Sequence, residues 1–318
     1  MDLKVMRDVL IDGIYKRMHL NDNIFFLSAD FGSPALDRLR EDFSDRFINV
    51  GIAEQNLINV ATGMTLEGYV VYAYAIAPFL TMRAYEQIRN LSLLAQVREI
   101  NLNLIGVGAG LSYDVTGPTH HCLEDICILN VLPNFVVFSP SDYLSVEEFV
   151  DYSLQVKKPK YIRLDGKAQP PIYSDSCKIS MTDGFYELKK GKKLVIVSTG
   201  YMTHKALKIA ELLQQEGMNI GVVDVFLLKP FNKSAFYRTV NNYSHIITME
   251  EGFINKCGLD SIVINILRDC KSSVEVTALG FEDRYVFEVG NRDYLHKVNG
   301  LDNESIMRKI KTIIGGSA

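Results

Sequence analysis

The sequence predicts an α/β protein of two domains, each a mostly parallel sheet flanked by helices. Three observations predict it. Short β-branched and aromatic runs alternate with stretches of helical period. The 318 residues exceed what one hydrophobic core normally serves. The alternation lapses once, where GKAQPPIYSDSCKISMTDGFYELKK (166–190) gathers Pro, Ser, Asp and Lys, and then resumes. The expected division is a first domain over 1–168, a linker over 169–190 and a second domain over 191–318.

In the first domain the candidate strands are IFFLSAD (24–30), FINVG (47–51), VVYAYAI (70–76), NLNLIGVG (101–108), FVVFSP (135–140) and KYIRLD (160–165). Helices are expected from residues 54, 78, 122 and 141. Ser141 is read as the N-cap of the last, with Leu144, Val146, Phe149 and Leu154 as its apolar stripe. In the second domain, KLVIVSTG (193–200), NIGVVDVF (219–226), HIITMEE (245–251) and VEVTALG (274–280) read as strands. One helix is expected to start at Thr203 and stop at Gly217, and LDSIVINIL is read as another.

Composition excludes several classes of function. With 47% hydrophobic and 23% charged residues the chain has an ordinary globular make-up. A net charge of -4 and a pI near 5.9 leave no electrostatic footprint for nucleic acid or an anionic membrane. The five cysteines form no CxxC pair, so neither a disulfide framework nor a zinc site is indicated. The N-terminus lacks an apolar signal core, and YVVYAYAIAPFL (69–80) is too short to span a bilayer. A cytoplasmic protein is expected.

Four patterns bear chemistry: SAD (28–30), GIAEQ (51–55), PFLTMRAYEQ (78–87) and GPTHH (117–121). The first three directly follow candidate strands and the fourth comes about ten residues after one. Ligands in open parallel sheets bind beyond the carboxyl ends of the strands, so all four patterns are candidates for one crevice. Phe79, Met82 and Tyr85 recur every three residues and share a helix face, which suits either packing against a ring or an ordinary core stripe. Glu54 in a first helical turn is by itself only a favourable partner for the helix dipole. His120 and His121 point in different directions and lack the spacing of helical metal ligands, so one is expected to face substrate and the other to be structural. Arg83 is a candidate anion contact and equally a surface arginine. His19, His204, His245 and His296 are read as element ends or solvent faces, and LKKGKK (188–193) as a solvated turn.

GIAEQ, the Phe/Met/Tyr stretch after it, and GAGLSYDVTGPTHHCLEDICILNVLPNFVVFSPSD together resemble the pyrimidine-binding domain of thiamine diphosphate enzymes of the transketolase and deoxyxylulose-phosphate synthase group. DVFLLKPFN (224–232), MEEGFINKCGLDSIV (249–263) and FEDRYVFEVGNRDYLHKVNGLD (281–302) resemble the C-terminal domain of the same group. The resemblance implies that Glu54 hydrogen-bonds N1′ of the cofactor's aminopyrimidine and promotes formation of the thiazolium ylide. It implies that Phe79, Met82 and Tyr85 surround the pyrimidine ring and that Asp30 is a cofactor-side aspartate. On the substrate side it implies roles for His120 near the reacting carbon, with His121 beside it, and for Arg163 as a phosphate ligand. Two departures are Thr116, where pentose-phosphate enzymes carry an aspartate, and Gly108, where transketolase carries a histidine.

The family holds the cofactor's diphosphate through Mg²⁺ on a separate domain marked by GDG, and no GDG occurs here. The resemblance therefore implies the C-terminal subunit of a split enzyme. An N-terminal partner subunit is expected to hold the diphosphate and Mg²⁺ in a heterotetramer of two plus two chains. The expected reaction moves a two-carbon ketol unit from a ketose or ketose phosphate to an aldose. The alternatives are the beta subunit of a 2-oxo-acid dehydrogenase, against which GPTHH and the lack of an HSQS-type segment argue, deoxyxylulose-phosphate synthase chemistry, and a non-catalytic relative that keeps the fold.

Overall fold

The computed structural model describes residues 3–174 and 177–315. The first part of the chain forms β1 (Ile24–Ser28), β2 (Phe47–Asn49), β3 (Val70–Ile76), β4 (Leu102–Val107), β5 (Val136–Phe138) and β6 (Lys160–Leu164). Packed on them are α1 (Met6–Met18), α2 (Asp37–Asp42), α3 (Glu54–Leu66), α4 (Tyr85–Leu94), α5 (Asp125–Asn130) and α6 (Tyr143–Gln155). These six strands are mutually parallel in the order β5-β6-β4-β3-β1-β2. Every residue of β4 is buried, as a central strand covered on both faces requires.

The second part forms β7 (Phe185–Lys189), β8 (Leu194–Ser198), β9 (Gly221–Val225), β10 (Leu227–Lys229), β11 (His245–Phe253) and β12 (Glu275–Phe281). Its helices are α7 (Tyr201–Gln215), α8 (Lys233–Val240), α9 (Leu259–Asp269), α10 (Arg292–Val298) and α11 (Asn303–Gly315). The sheet order is β12-β11-β8-β9-β7, parallel except for the antiparallel edge strand β7. No helix among the described residues is long and apolar enough to cross a membrane.

The range read as a linker, 169–190, thus ends in β7, which caps the second sheet. β10 leaves the second domain and pairs antiparallel with β5, so it becomes the outer strand of the first sheet. One apolar cluster crosses the boundary, with Leu27, Ala73 and Leu104 of the first sheet in the same core as Val197, Val223 and Val263.

Two helix starts differ from expectation. The N-cap of α6 is Asp142, whose Oδ1 accepts the Ser145 N–H at 2.9 Å. Ser141 instead donates to Asp224 Oδ1 at 2.6 Å, because its buried hydroxyl faces the second domain. Likewise α7 begins at Tyr201 after Gly200, and Thr203 uses its hydroxyl on Asp224 Oδ1 at 2.7 Å. In both places a tertiary acceptor outcompetes the local capping bond.

Candidate active site

β2 ends at Asn49, and Gly51 then adopts φ +77°, a left-handed conformation that a side chain disfavours. This turn delivers Glu54 as the first residue of α3. Asn49 Oδ1 accepts the backbone N–H groups of Asp30 at 3.1 Å and Gly51 at 3.0 Å, and its amide donates to Asp30 Oδ1 at 2.8 Å. The SAD and GIAEQ loops are thereby tied together beyond β1 and β2. Asp30 itself is exposed there, with φ +53°.

Glu54 is only 3% exposed, and the positive end of α3 favours its carboxylate. Its Oε2 accepts a hydrogen bond from Arg83 Nη1 at 2.6 Å. The same guanidinium lies 4.9 Å from the centroid of the Phe79 ring. Phe79 in turn meets the His120 imidazole edge-on, with centroids 5.1 Å apart. Four sequence-predicted residues, Glu54, Arg83, Phe79 and His120, thus form one chain of contacts.

Phe79–Arg83 is a single π-helical turn inserted before α4. Such turns are frequent at functional sites, and their extra residue shifts the facing of those that follow. Phe79 and Met82 accordingly line an open cleft of about 360 Å³, together with Pro78 and Arg83 from the same turn, Pro118, Thr119, His121 and Glu124 from beyond β4, and Tyr285 of the second domain. Tyr85 does not join them. It packs against the core and donates its hydroxyl to Ile128 O at 2.8 Å, so the three-residue spacing does not give one shared face.

The two histidines have different surroundings. His120 is half-buried beside Phe79, its Nδ1 3.1 Å from Thr119 Oγ1. His121 is buried, and its Nε2–H donates to Asp114 O at 3.2 Å. That bond fixes the neutral tautomer with Nδ1 as a bare acceptor, and Nδ1 is buried without a hydrogen-bond partner among the described residues. Burial also holds the His121 pKa below the usual histidine value, so the acceptor form persists at neutral pH.

Arg163 is held by partners within the protein. It is buried, its Nε is 2.8 Å from Asp125 Oδ2, and its Nη2 donates to Cys122 O at 3.3 Å and Glu251 O at 3.0 Å. Asp125, in the same domain, balances its charge, and the bond to Glu251 O reaches the second domain. Pattern reading also missed Glu124 and Tyr285. Burial raises the Glu124 carboxyl pKa, and the charge of Glu124 raises that of the Tyr285 phenol. No local pattern marks Tyr285, because only the tertiary fold carries it to the cleft.

The loop preceding GPTHH is pinned to the second domain. Asp114 Oδ2 accepts from the Arg292 backbone N–H at 2.7 Å and pairs with Lys167. Arg292 Nη1 lies 2.6 Å from Asp165 Oδ2, and its Nε donates to Glu251 Oε1 at 2.7 Å. His296, read from the sequence as a residue without special surroundings, is fully buried, with Nε2 2.6 Å from Glu251 Oε1 and Nδ1 2.6 Å from Lys205 Nζ. His204 is half-buried and donates to Ser141 O at 2.5 Å.

Comparison with known proteins gives this architecture a family. The transketolase pyrimidine-binding domain matches residues 4–170, and the transketolase C-terminal domain matches residues 185–306. The chain belongs to the transketolase family. It is 31% identical over 267 residues to an apulose-4-phosphate transketolase subunit of Actinobacillus succinogenes, covering 84% of each protein. It is 28% identical over 305 residues to a 6-deoxy-6-sulfo-D-fructose transketolase subunit of a Clostridium species, covering 95% of this chain and 92% of that one. Among solved structures, a split-gene transketolase described as an inactive beta4 tetramer superposes with a TM-score of 0.85 at 29% identity, covering 97% of each chain. The likeness to these transketolase subunits extends over nearly the whole chain, and both α/β domains match the family's architecture.

Proposed function

We propose that this chain is the C-terminal subunit of a split, thiamine diphosphate-dependent transketolase that moves a two-carbon ketol unit from an anionic ketose to an aldose. The observation that carries the reading is the contact chain Glu54–Arg83–Phe79–His120, in segments that follow β2, β3 and β4. A buried carboxylate beside an aromatic slot fits an aminopyrimidine, a planar ring with nitrogens that take up and release protons. When bound, thiamine diphosphate supplies the carbon nucleophile that carries the two-carbon unit between sugars. Glu54 holds a proton at the ring nitrogen, Phe79 and Met82 pack on the ring faces and keep water away, and Asp30 lies on the cofactor side.

On the substrate side, His120 moves a proton at the oxygens next to the reacting carbon, and His121 Nδ1 accepts a sugar hydroxyl. Arg163 is buried against Asp125, whereas Arg83, though paired with Glu54, is half-exposed on the cleft wall and is the cation among the cleft's lining residues that an anionic group would meet. The names of two relatives, one for a phosphate and one for a sulfo sugar, support an anionic donor. A partner subunit holds the diphosphate and Mg²⁺ and completes a heterotetramer of two plus two chains. The free cysteines suit a reducing cytoplasm.

The test is calorimetric titration of thiamine diphosphate with Mg²⁺ into this chain, into its diphosphate-binding partner and into their mixture, followed by a screen of ketose donors. Tight binding and ketose cleavage in the mixture alone are expected. Decarboxylation of a 2-oxo acid, or failure to cleave any ketose, overturns the reading.

A further inference from the structure

A second cleft, remote from the catalytic residues in function and built only from the second domain, lies between the first turns of α7 and the segment that joins α10 to α11. It encloses about 500 Å³, within the range of small-molecule sites. Lys205 and Lys208 stand on one wall, Lys297 and Asp293 on another, with Asn303 and Glu304 at the start of α11. Lys205 is the unusual member, because it is 9% exposed and no carboxylate among the described residues lies within ion-pair distance. Its Nζ donates to His296 Nδ1 at 2.6 Å and to Leu301 O at 2.9 Å, which accounts for two of its three N–H groups.

The network behind Lys205 explains why a neutral imidazole, and not a carboxylate, sits against its ammonium. Arg292 holds Glu251 ionised, so Glu251 can only accept, and His296 must present Nε2–H to it. The other nitrogen of His296 is then a neutral acceptor for Lys205. Arg292, Glu251, Asp165, Asp114 and Lys167 contribute two cations against three anions, and Lys205 restores neutrality at the end of the chain that faces the cleft. The network balances the ammonium only at a distance, and its third N–H is open to a ligand oxyanion in direct contact.

We propose that this cleft binds a phosphorylated polyol, such as a sugar phosphate, with its phosphate on Lys205, Lys208 and Lys297. Asp293, Asn303 and Glu304 accept its hydroxyl groups. Three carboxylates among the lining residues disfavour a bare polyanion, whereas a ligand with one anionic end and several hydroxyl donors satisfies both walls. The site is independent of the catalytic assignment, since none of its residues touches the first-domain cleft.

The test uses glycerol 3-phosphate, which has no carbonyl and is no substrate for ketol transfer, titrated calorimetrically into the full chain. Saturable binding of one molecule per chain is expected, with inorganic phosphate weaker and glycerol silent. Lys205→Met and the exposed pair Lys208→Ala with Lys297→Ala should each weaken binding roughly tenfold or more, while His120→Ala leaves it unchanged. If Lys205→Met fails to fold, the surface pair decides. Absent binding by the wild type, undiminished binding by the surface pair, or loss confined to His120→Ala overturns the proposal.

Discussion

Arg83 Nη1 lies 2.6 Å from Glu54 Oε2, joining the π-helical turn after β3 to the first residue of α3. The pair is unequal, since the Glu54 side chain is 4% exposed and that of Arg83 is 46% exposed. Glu54→Ala in the complex with the partner subunit should lower kcat by roughly 10²–10⁴-fold, the usual worth of a positioned proton-transfer group. Thermal stability should change little, because the loss to the fold is one dipole contact of about 0.3–1 kcal/mol and a half-exposed ion pair. Steady-state kinetics with a melting curve separates the two, and full activity in a folded variant would remove Glu54 from the catalytic role.

Glu250 and Glu251 are adjacent, both buried, and titrate in opposite directions. Burial pushes the Glu250 carboxyl up to about 8, and its Oε2 has no hydrogen-bond partner among the described residues. Folded Glu250 therefore keeps a proton between pH 4.5 and 8 that the unfolded chain releases, so its contribution to stability fades as pH rises through that window. Glu250→Gln should remove this decline. Urea unfolding at pH 5, 7 and 9 should show a gain over wild type that grows with pH to the order of a few kcal/mol. Parallel profiles would refute it.

Glu251 behaves oppositely, because the guanidinium of Arg292 and the His296 N–H overcome burial and hold its carboxyl well below the usual range. Its contribution is present above pH 4.5 and is lost as pH falls towards the folded value. Arg292→Met strands two buried carboxylates and should cost about 3–5 kcal/mol at neutral pH, measured by denaturant unfolding. Gly110→Ala reaches the same contact from the first domain. Gly110 has φ +57°, and an added Cβ would sit 2.1 Å from Glu251 Oε2. The two losses should be less than additive, since both variants break one network.

Long apolar strands and the motifs beyond them were legible because the parallel sheet imposes its pattern on contiguous residues. VVYAYAI (70–76) became β3 without a shift of boundary. What escaped was set by contacts distant in sequence. β10 is a three-residue strand whose partner β5 lies some ninety positions earlier, and Ser141 gave up its capping role to Asp224. α1 is a different case. Met6, Leu10, Ile14 and Met18 repeat every four residues and are all buried, so the signal was present in a stretch read only for targeting. Arg163 looked like an anion ligand by motif position, and only the tertiary fold places Asp125 and Glu251 O against its guanidinium.

His121 and His120 should separate kinetically. His121 Nδ1 is a buried acceptor with no hydrogen-bond partner among the described residues, held in that tautomer by Asp114 O, so a substrate hydroxyl completes it. His121→Phe leaves that hydroxyl unpaired in the cleft and should lower kcat/KM roughly 10–100-fold. The amide oxygen of Asn can replace Nδ1, so His121→Asn should recover much of the loss and abolish any acid limb of the pH profile due to this group, which lies below pH 6.5. His120 packs against Phe79 and has no such frozen tautomer, so His120→Asn should not rescue His120→Ala if its role is proton transfer. Equal loss in His121→Phe and His121→Asn would assign His121 to packing alone.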